Sequence, residues 1–176
     1  SLQILEERNF PIETLRLFSS KRSAGELLSC QGKEYKVEEL TEASSFAGVD
    51  IAFVSATDTI SRDYGARLGA AGVVVIDDSA IFRMDPDVPL VVPEVNAAAL
   101  RSMKRGIVAI PNCTTTPLVM ALKPLRDIAG IKRVVVTTFQ SVSGTGSAAM
   151  DELVDQTKAL MAFQDVKVQV YPYQIA

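Results

Sequence analysis

The sequence predicts an α/β fold built on a parallel sheet. Short apolar segments alternate with segments of helical spacing through the first two-thirds of the 176 residues, and this order is typical of parallel sheets with crossover helices. Residues 72–76 are fully apolar, as in a strand that is buried on both faces. Hydrophobic residues make up 48% and charged residues 22% of the chain, so the chain can bury a core.

The elements follow from local spacing and from turn residues. Predicted strands lie at 14–19, 34–37, 49–55, 72–76, 90–92, 107–110, 131–138 and 166–171. Predicted helices lie at 1–9, 59–70, 97–103, 117–128 and 148–162. The helix at 117–128 should have Thr115 or Thr116 as its N-cap and Pro117 at its first position. The chain opens inside a helix, and we therefore expect it to be part of a longer protein.

Composition excludes several function classes. The net charge of −3 and the pI near 5.1 disfavour nucleic acid as a partner. No apolar run is long enough to span a bilayer and no signal peptide is visible, so we expect no membrane partner and a cytoplasmic location. Cys30 and Cys113 lie in unrelated contexts and do not suggest a disulfide framework, and we predict no metal site. The chain has no histidine, so a mechanism that needs a histidine base must take it from outside these residues.

Cys113 is the most informative residue. It stands between a predicted buried strand and a predicted helix, where backbone N–H groups and the helix dipole favour a thiolate and could receive an oxyanion. A lone cysteine is otherwise most often a small buried filler. Asn112 and the three threonines that follow Cys113 favour the catalytic interpretation, because a polar rim is unusual around an inert core cysteine. Cys30 has no such setting and is expected to be structural.

Four motifs occur in one order along the chain. They are Ser-x-Arg-Ser-Ala-Gly at 20–25, a long segment from Asp-Ser-Ala at 78–80 to Val-Asn at 95–96, Pro-Asn-Cys-Thr-Thr at 111–115, and Gln-x-x-Ser-Gly-x-Gly at 140–146. Together they resemble the aspartate-semialdehyde dehydrogenases, and the resemblance covers essentially the whole chain. It implies a partial, Rossmann-like NADP-binding domain at 1–112 that lacks its first strand. It also implies the beginning of an α+β catalytic and dimerisation domain at 113–176.

The resemblance also implies a reaction and roles. The family reduces L-aspartyl 4-phosphate to L-aspartate 4-semialdehyde through a cysteine acyl-thioester, in the biosynthesis of lysine and diaminopimelate, threonine and methionine. Cys113 would be the nucleophile, Gln140 would position the substrate carbonyl or the sulfur, and Arg83 and Asn112 would hold the phosphate. The alternative for Arg83 is a surface ion pair with Asp85 or Asp87.

The predicted cofactor contacts are mostly small or polar residues: Ser20, Arg22, Ser23, Ser55, Ala56, Asn96, Ser143 and Gly144. Arg22 and the two serines beside it suit a ribose 2′-phosphate better than a free hydroxyl, which favours NADP over NAD. Asn96 is equally suited to cap the helix that begins at Ala97. Gly144 would allow the backbone to approach the nicotinamide closely.

Further elements of the family pattern are expected outside these residues. The Gly-rich turn that holds the pyrophosphate should precede residue 1, and the proton-carrying histidine and the substrate-binding arginine should follow residue 176. We expect the 176 residues alone to be inactive and the full-length protein to be a homodimer or tetramer.

Two alternatives stay open. One is an enzyme similar to the N-acetyl-glutamyl-phosphate reductases, although their cysteine usually lies in a Gly-Cys-Tyr context. The glyceraldehyde-phosphate dehydrogenases are a poorer match, because they share the Cys-Thr-Thr run but not the segment at 82–96. The other is a Rossmann-like module without catalytic activity, in which the Cys113 thiol would be unreactive.

Overall fold

The computed structural model of the chain describes residues 2–176. It divides into two compact units, one that ends at Val49 and one that extends from Asp50 to Ala176.

The first unit contains a three-stranded mixed sheet. Its elements are α1 (Leu2–Glu7), β1 (Leu17–Ser19), β2 (Leu27–Cys30) and β3 (Lys33–Glu39). Strand β3 lies in the centre, parallel to β1 and antiparallel to β2. The hairpin between β2 and β3 turns at Gln31 and Gly32, both with positive φ. The strands predicted at 14–19 and 34–37 are confirmed in position, whereas β2 was not predicted, because its turn lacks the usual two-residue signal.

The second unit is built on a parallel sheet. Strands β4 (Ile51–Val54), β5 (Val74–Asp77) and β6 (Ile107–Ala109) are hydrogen-bonded in chain order. Both pairings are parallel, which requires the chain to cross back between consecutive strands. These strands confirm the predictions at 49–55, 72–76 and 107–110 in position, with ends that differ by at most two residues.

The core lies around the last two of these strands. Val75, Ile107 and Ala109 are fully buried, and the other buried apolar residues of this unit's sheet region are Leu68, Val73, Phe82, Val88, Val91, Val92 and Val108. All three residues of β6 are buried, as expected for a strand covered on both faces, whereas half-buried and buried residues alternate along β5. The sheet therefore provides a rigid base from whose strand ends the loops of the candidate site emerge.

Helices connect and follow these strands. They are α2 (Asp58–Ile60), α3 (Ala66–Ala70), α4 (Pro93–Asn96), α5 (Thr115–Ala129) and α6 (Ser147–Met161). A π-helical turn (Ser61–Gly65) joins α2 to α3, and 3-10 segments occur at Ala97–Ser102 and Val142–Thr145. The helices predicted at 59–70, 117–128 and 148–162 are confirmed in position. The helix predicted at 97–103 is a 3-10 segment.

Three predicted strands are wrong or reduced. Residues 131–138 and 166–171 form no strand, and 90–92 contributes only one bridge, from Leu90 to Ala109. A strand needs a neighbour for its backbone groups, and no described strand lies beside the first two segments. Within residues 2–176, no helix has the length and apolarity needed to cross a membrane.

Candidate active site

The loop from β6 to α5 is organised by the side chain of Asn112. Its Oδ1 accepts hydrogen bonds from the backbone N of Thr114 at 3.0 Å and from the Thr114 hydroxyl at 2.8 Å. Its carbonyl oxygen accepts from the N–H groups of Thr115 and Thr116. The predicted cap at Thr115 or Thr116 is therefore wrong: both residues lie inside the helix, and the residue before the cysteine satisfies the free donors.

The structure brings Gln140 to this loop. Its Nε2 lies 3.6 Å from Cys113 Sγ and 3.3 Å from Asn112 Oδ1. Cys113 is exposed, and its Sγ lies 3.7 Å from the same Asn112 oxygen. Three residues that the sequence placed in the site thus meet at one point, with an amide donor directed at an accessible sulfur. A donor in this position can hold either a thiolate or the oxygen of a carbonyl under attack.

Arg83 is hydrogen-bonded to Ile110 at the start of the same loop. Its Nε donates to the Ile110 carbonyl at 3.0 Å, and its Nη2 donates to the Asp78 carbonyl at 2.6 Å. It therefore links the ends of β5 and β6 just before Asn112. The alternative of an ion pair with Asp85 or Asp87 is wrong for this structure, because each carboxylate is paired with another cation.

Those two pairs lie on the surface. Asp85 pairs with Arg105 and Asp87 with Lys104. The hydrogen bond from Lys104 is the main reason that the pKa of Asp87 lies below its ordinary value. Exposed pairs of this kind contribute little to stability, so Arg83 differs from its basic neighbours in being tied to backbone carbonyls near the cysteine.

Ser143 and Gly144 lie in the 3-10 turn that follows Gln140. The turn is closed by Ser141, whose hydroxyl accepts from the backbone N of Ser143 and shares a hydrogen bond with its Oγ at 2.8 Å. A Cβ placed on Gly144 would meet no atom within 4 Å. The surface beside this glycine is therefore open to a ligand, and Gln140 and the turn lie on one continuous loop.

The remaining cofactor candidates of the second unit make bonds of their own. Ser55, directly after β4, donates to Asp78 Oδ2 at 2.7 Å, and Ala56 beside it is exposed. Asn96 accepts from Val92 N and donates to the Leu90 carbonyl. Asn96 is the N-cap residue of the 3-10 segment that begins at Ala97, as the alternative predicted, but its side chain makes no capping bond there; its amide links Val92 and Leu90 instead.

In the first unit, the predicted phosphate loop follows β1 directly. The backbone N–H groups of Ser23 and Ala24 both donate to the Ser20 carbonyl, which makes a compact turn. Ser20 and Arg22 are exposed on this turn, and Ser23 is half-buried. The loop therefore presents a guanidinium and a hydroxyl to solvent at the carboxyl end of a strand that pairs in parallel with β3.

Sequence reasoning missed one group, the buried Glu152 on α6. Its carboxylate accepts from the backbone N–H groups of Gln169, Val170 and Tyr171. These bonds, of which the one from Gln169 has the largest effect, lower the pKa of Glu152 below the ordinary glutamate value, although burial acts in the opposite direction. The signal was present: Ala149, Glu152 and Gln156 fall on the buried stripe of α6, where polar residues need partners.

The fold and the site define the class. A parallel α/β sheet leads into a loop that places the exposed Cys113 just before α5, with an amide donor beside its sulfur, and an accessible sulfur of this kind is what a cysteine nucleophile requires.

Comparison with known proteins gives the family. Residues 1–103 match the model of the semialdehyde dehydrogenase NAD-binding domain, and residues 122–176 match that of the semialdehyde dehydrogenase dimerisation domain. The chain belongs to the semialdehyde dehydrogenase family, and its fold is a mixed α/β fold of the Rossmann type. The predicted fold class is confirmed.

Similar curated proteins and similar solved structures are aspartate-semialdehyde dehydrogenases by name. The aspartate-semialdehyde dehydrogenase of Aquifex aeolicus is 51% identical over 99% of this chain and 52% of its own length. The crystal structure of aspartate semialdehyde dehydrogenase II from Vibrio cholerae, complexed with ASA, is 43% identical with a TM-score of 0.80 over 99% of this chain and 52% of its own. The Candida albicans enzyme with NADP is 28% identical with a TM-score of 0.54 over 68% of this chain and 40% of its own. The chain spans about half the length of the curated relatives it matches.

Proposed function

We propose that the protein to which this chain belongs converts L-aspartyl 4-phosphate to L-aspartate 4-semialdehyde, with NADPH as reductant and Cys113 as nucleophile. The observation that carries this proposal is the meeting of Cys113, Asn112 and Gln140 at an exposed helix start. The names of the related enzymes support the same substrate. The proposed reaction belongs to the biosynthesis of lysine and diaminopimelate, threonine and methionine.

The covalent step uses residues of this chain. The Cys113 thiolate forms a bond to the acyl carbon of aspartyl phosphate, and the carbon–oxygen bond to phosphate breaks, so that an acyl-thioester and inorganic phosphate result. Gln140 Nε2 lies 3.6 Å from the sulfur and is assigned to the oxygen on which negative charge develops. Asn112 uses Oδ1 to organise the loop, which leaves its Nδ2 for the phosphate.

Arg83 is assigned to the phosphate as well. Its Nε and Nη2 donate to the Ile110 and Asp78 carbonyls, and Nη1 takes part in neither bond. Its side chain is bonded to Ile110, two residues before Asn112, where its charge would stabilise a phosphate through electrostatics as well as through one donor. Arg83 thus serves both the loop and the anion.

The residues present fit a nicotinamide cofactor. Ser20, Arg22 and Ser23 form a turn after β1 that suits a 2′-phosphate, and the match to an NAD-binding domain model supports this assignment. The NADP in a structure of a related enzyme also supports it. NADPH, when bound, supplies the hydride that reduces the thioester. Ser55, Ala56, Asn96, Ser143 and Gly144 are assigned to contacts with the rest of the cofactor.

Two further assignments follow from this proposal. Residues 1–112 serve cofactor binding, and residues 113–176 begin the catalytic and dimerisation domain. The working assembly is a homodimer or tetramer, and the match of residues 122–176 to the dimerisation domain model supports this assignment. If a histidine carries the proton, it must lie outside these residues, because they contain none. The 176 residues alone are expected to be inactive.

The test is turnover by the full-length protein. Phosphate-dependent reduction of NADP+ to NADPH, with L-aspartate 4-semialdehyde as the hydride donor, should be measured for the wild type and for Cys113→Ala, with Cys30→Ala as the matched control. We expect Cys113→Ala to lose more than about 10³-fold of the activity. Cys30→Ala should retain it, because Cys30 is buried in the first unit and lies outside the proposed chemistry.

Three results would contradict the proposal. Preferred turnover of N-acetyl-glutamate semialdehyde would assign the protein to the reductase alternative. Equal rates for Cys113→Ala and the wild type would remove the cysteine from the mechanism, and a wild type without any turnover would favour the binding module.

A further inference from the structure

Glu152 holds three successive amides of a distant segment. The carboxylate is 6% exposed and accepts from the N–H groups of Gln169 at 2.6 Å, Val170 at 3.0 Å and Tyr171 at 3.1 Å. Hydrogen bonds to an ionised carboxylate are stronger than those between neutral groups. Residues 169–171 are therefore fixed on α6 by one side chain.

Gln156, one helical turn further on, extends the same arrangement. Its Oε1 accepts from the backbone N–H groups of Ile175 and Ala176 at 2.8 and 3.2 Å, and its Nε2 donates to the Lys167 carbonyl at 3.0 Å. We call residues 167–176 the clamped segment. Two buried polar side chains of one helix thus satisfy backbone groups along a segment that has no strand partner among the described residues.

The clamped segment reaches back to the loop of the candidate site. The Tyr171 hydroxyl lies 2.5 Å from Thr145 Oγ1. Thr145 ends the 3-10 turn that carries Ser143 and Gly144, and Gly146 after it leads into α6. The turn is therefore held at its far end by a tyrosine whose own backbone is fixed by Glu152.

This connection matters because the turn itself is exposed, contains Gly144 and is followed by Gly146. Ser143, Gly144 and Thr145 are all exposed, and glycine loses more conformational freedom on ordering than any other residue. A loop that is already ordered binds its ligand at a lower entropic cost. Hydride transfer also depends on accurate placement of the two reacting groups.

We propose that Tyr171 is a positioning residue for the cofactor: its hydroxyl holds Thr145 and so fixes Ser143 and Gly144 at the nicotinamide, with Glu152 as the anchor. The inference rests on the proposed function, in which Ser143 and Gly144 meet the nicotinamide. It assigns roles to Tyr171, Thr145 and Glu152, none of which is assigned to the substrate in the proposed function.

The test uses Tyr171→Phe in the full-length enzyme, which keeps the ring and removes the hydroxyl. We expect the KM for NADP to rise roughly three- to tenfold, as for the loss of one hydrogen bond, while the KM for aspartate semialdehyde stays within about twofold. Tyr173→Phe is the matched control, since its ring lies 6.2 Å from that of Tyr171, and it should leave both constants unchanged.

Thr145 supplies a second test that does not depend on how Tyr171→Phe folds. Thr145→Val should reproduce the rise in the KM for NADP, and Thr145→Ser should have the wild-type KM. The double variant Thr145→Val with Tyr171→Phe should have a KM for NADP no higher than that of either single variant. Multiplicative effects in the double variant, or equal changes in both KM values, would overturn the proposal.

Failure of the proposed function would look different. In that case the wild type itself would show no phosphate-dependent turnover, and both proposals would fall. A wild type that turns over aspartate semialdehyde, with Tyr171→Phe indistinguishable from Tyr173→Phe, would overturn only the role of Tyr171.

Discussion

Two β-branched segments of the second unit have similar sequences and different structures. Strand β5 is hydrogen-bonded to β4 on one side and β6 on the other, and Val75 in it is fully buried. Residues 131–138 form no strand, and Val135 is 76% exposed. The difference teaches that β-branched sequence indicates the capacity to form a strand, whereas pairing decides whether the strand forms.

Residues 166–171 satisfy backbone hydrogen-bonding groups in a third way. Residues 166–171 alternate as a strand would, yet the amides of 169–171 donate to the carboxylate of Glu152. Backbone groups that lack a neighbouring strand require other partners, and here a helix side chain provides them. The sheet and the clamped segment therefore depend on different forces, apolar burial in one and charge-assisted hydrogen bonds in the other.

The largest expected effect contrasts β5 with residues 131–138. Val75→Ala removes buried methyl groups and should lower the free energy of unfolding by about 2 kcal/mol. The matched Val135→Ala should change it by less than about 0.5 kcal/mol, because the side chain is already in solvent. Chemical denaturation of both variants measures the difference. Equal losses would show that 131–138 is packed in solution.

A smaller effect should distinguish the clamped segment by its pH dependence. The pKa of Glu152 is lowered in the folded chain, so its contribution to stability is present above the unfolded glutamate pKa of about 4.3 and is lost as the pH falls through the lower folded value. The stability difference between wild type and Glu152→Gln, measured by denaturation from about pH 7 downward, should therefore shrink in acid.

The exposed Asp151 on the same helix offers a control. Asp151→Asn should have little effect on stability across the same range, because its side chain lies in solvent. A wild-type minus Glu152→Gln difference that stayed constant into acid would contradict the role given to the carboxylate.

The smallest effect concerns the loop around the cysteine. Thr114→Val removes the hydroxyl that donates to Asn112 Oδ1, which should loosen the amide that organises the loop. We expect the alkylation rate of Cys113 to fall roughly two- to fivefold, as for the loss of part of one hydrogen bond. Thr114→Ser keeps the hydroxyl and should restore the rate. If serine and valine behave alike, the hydroxyl has no such role.

Much of the sheet was predictable. The strands at 72–76 and 107–110 are short apolar runs between turn residues, and such runs are typical of strands in a parallel sheet. Residues 131–138 were mispredicted for the opposite reason, since local sequence says nothing about a neighbour. Strand β2 was missed because Leu27–Cys30 is short and its turn at Gln31 is not one that a dipeptide signal marks.

The candidate site was predictable in its members but not in their bonds. Motif order placed Asn112, Cys113 and Gln140 in one site, and the structure brings them within 3.7 Å of one another. The use of Asn112 as the organiser of the helix start, and of Arg83 as a link between two carbonyls, depends on side-chain directions that sequence spacing does not fix. Glu152 was overlooked because its partners lie 17 to 19 residues away.

The most direct test of the central claim is the alkylation rate of Cys113 by iodoacetamide at neutral pH. It should be measured in the Cys30→Ala background, folded and in denaturant, so that one thiol is compared with itself. If the helix start and Gln140 stabilise the sulfur anion, the folded chain should react faster than the denatured chain. A folded chain that reacts no faster than the denatured one would contradict the assignment of Cys113 as the nucleophile.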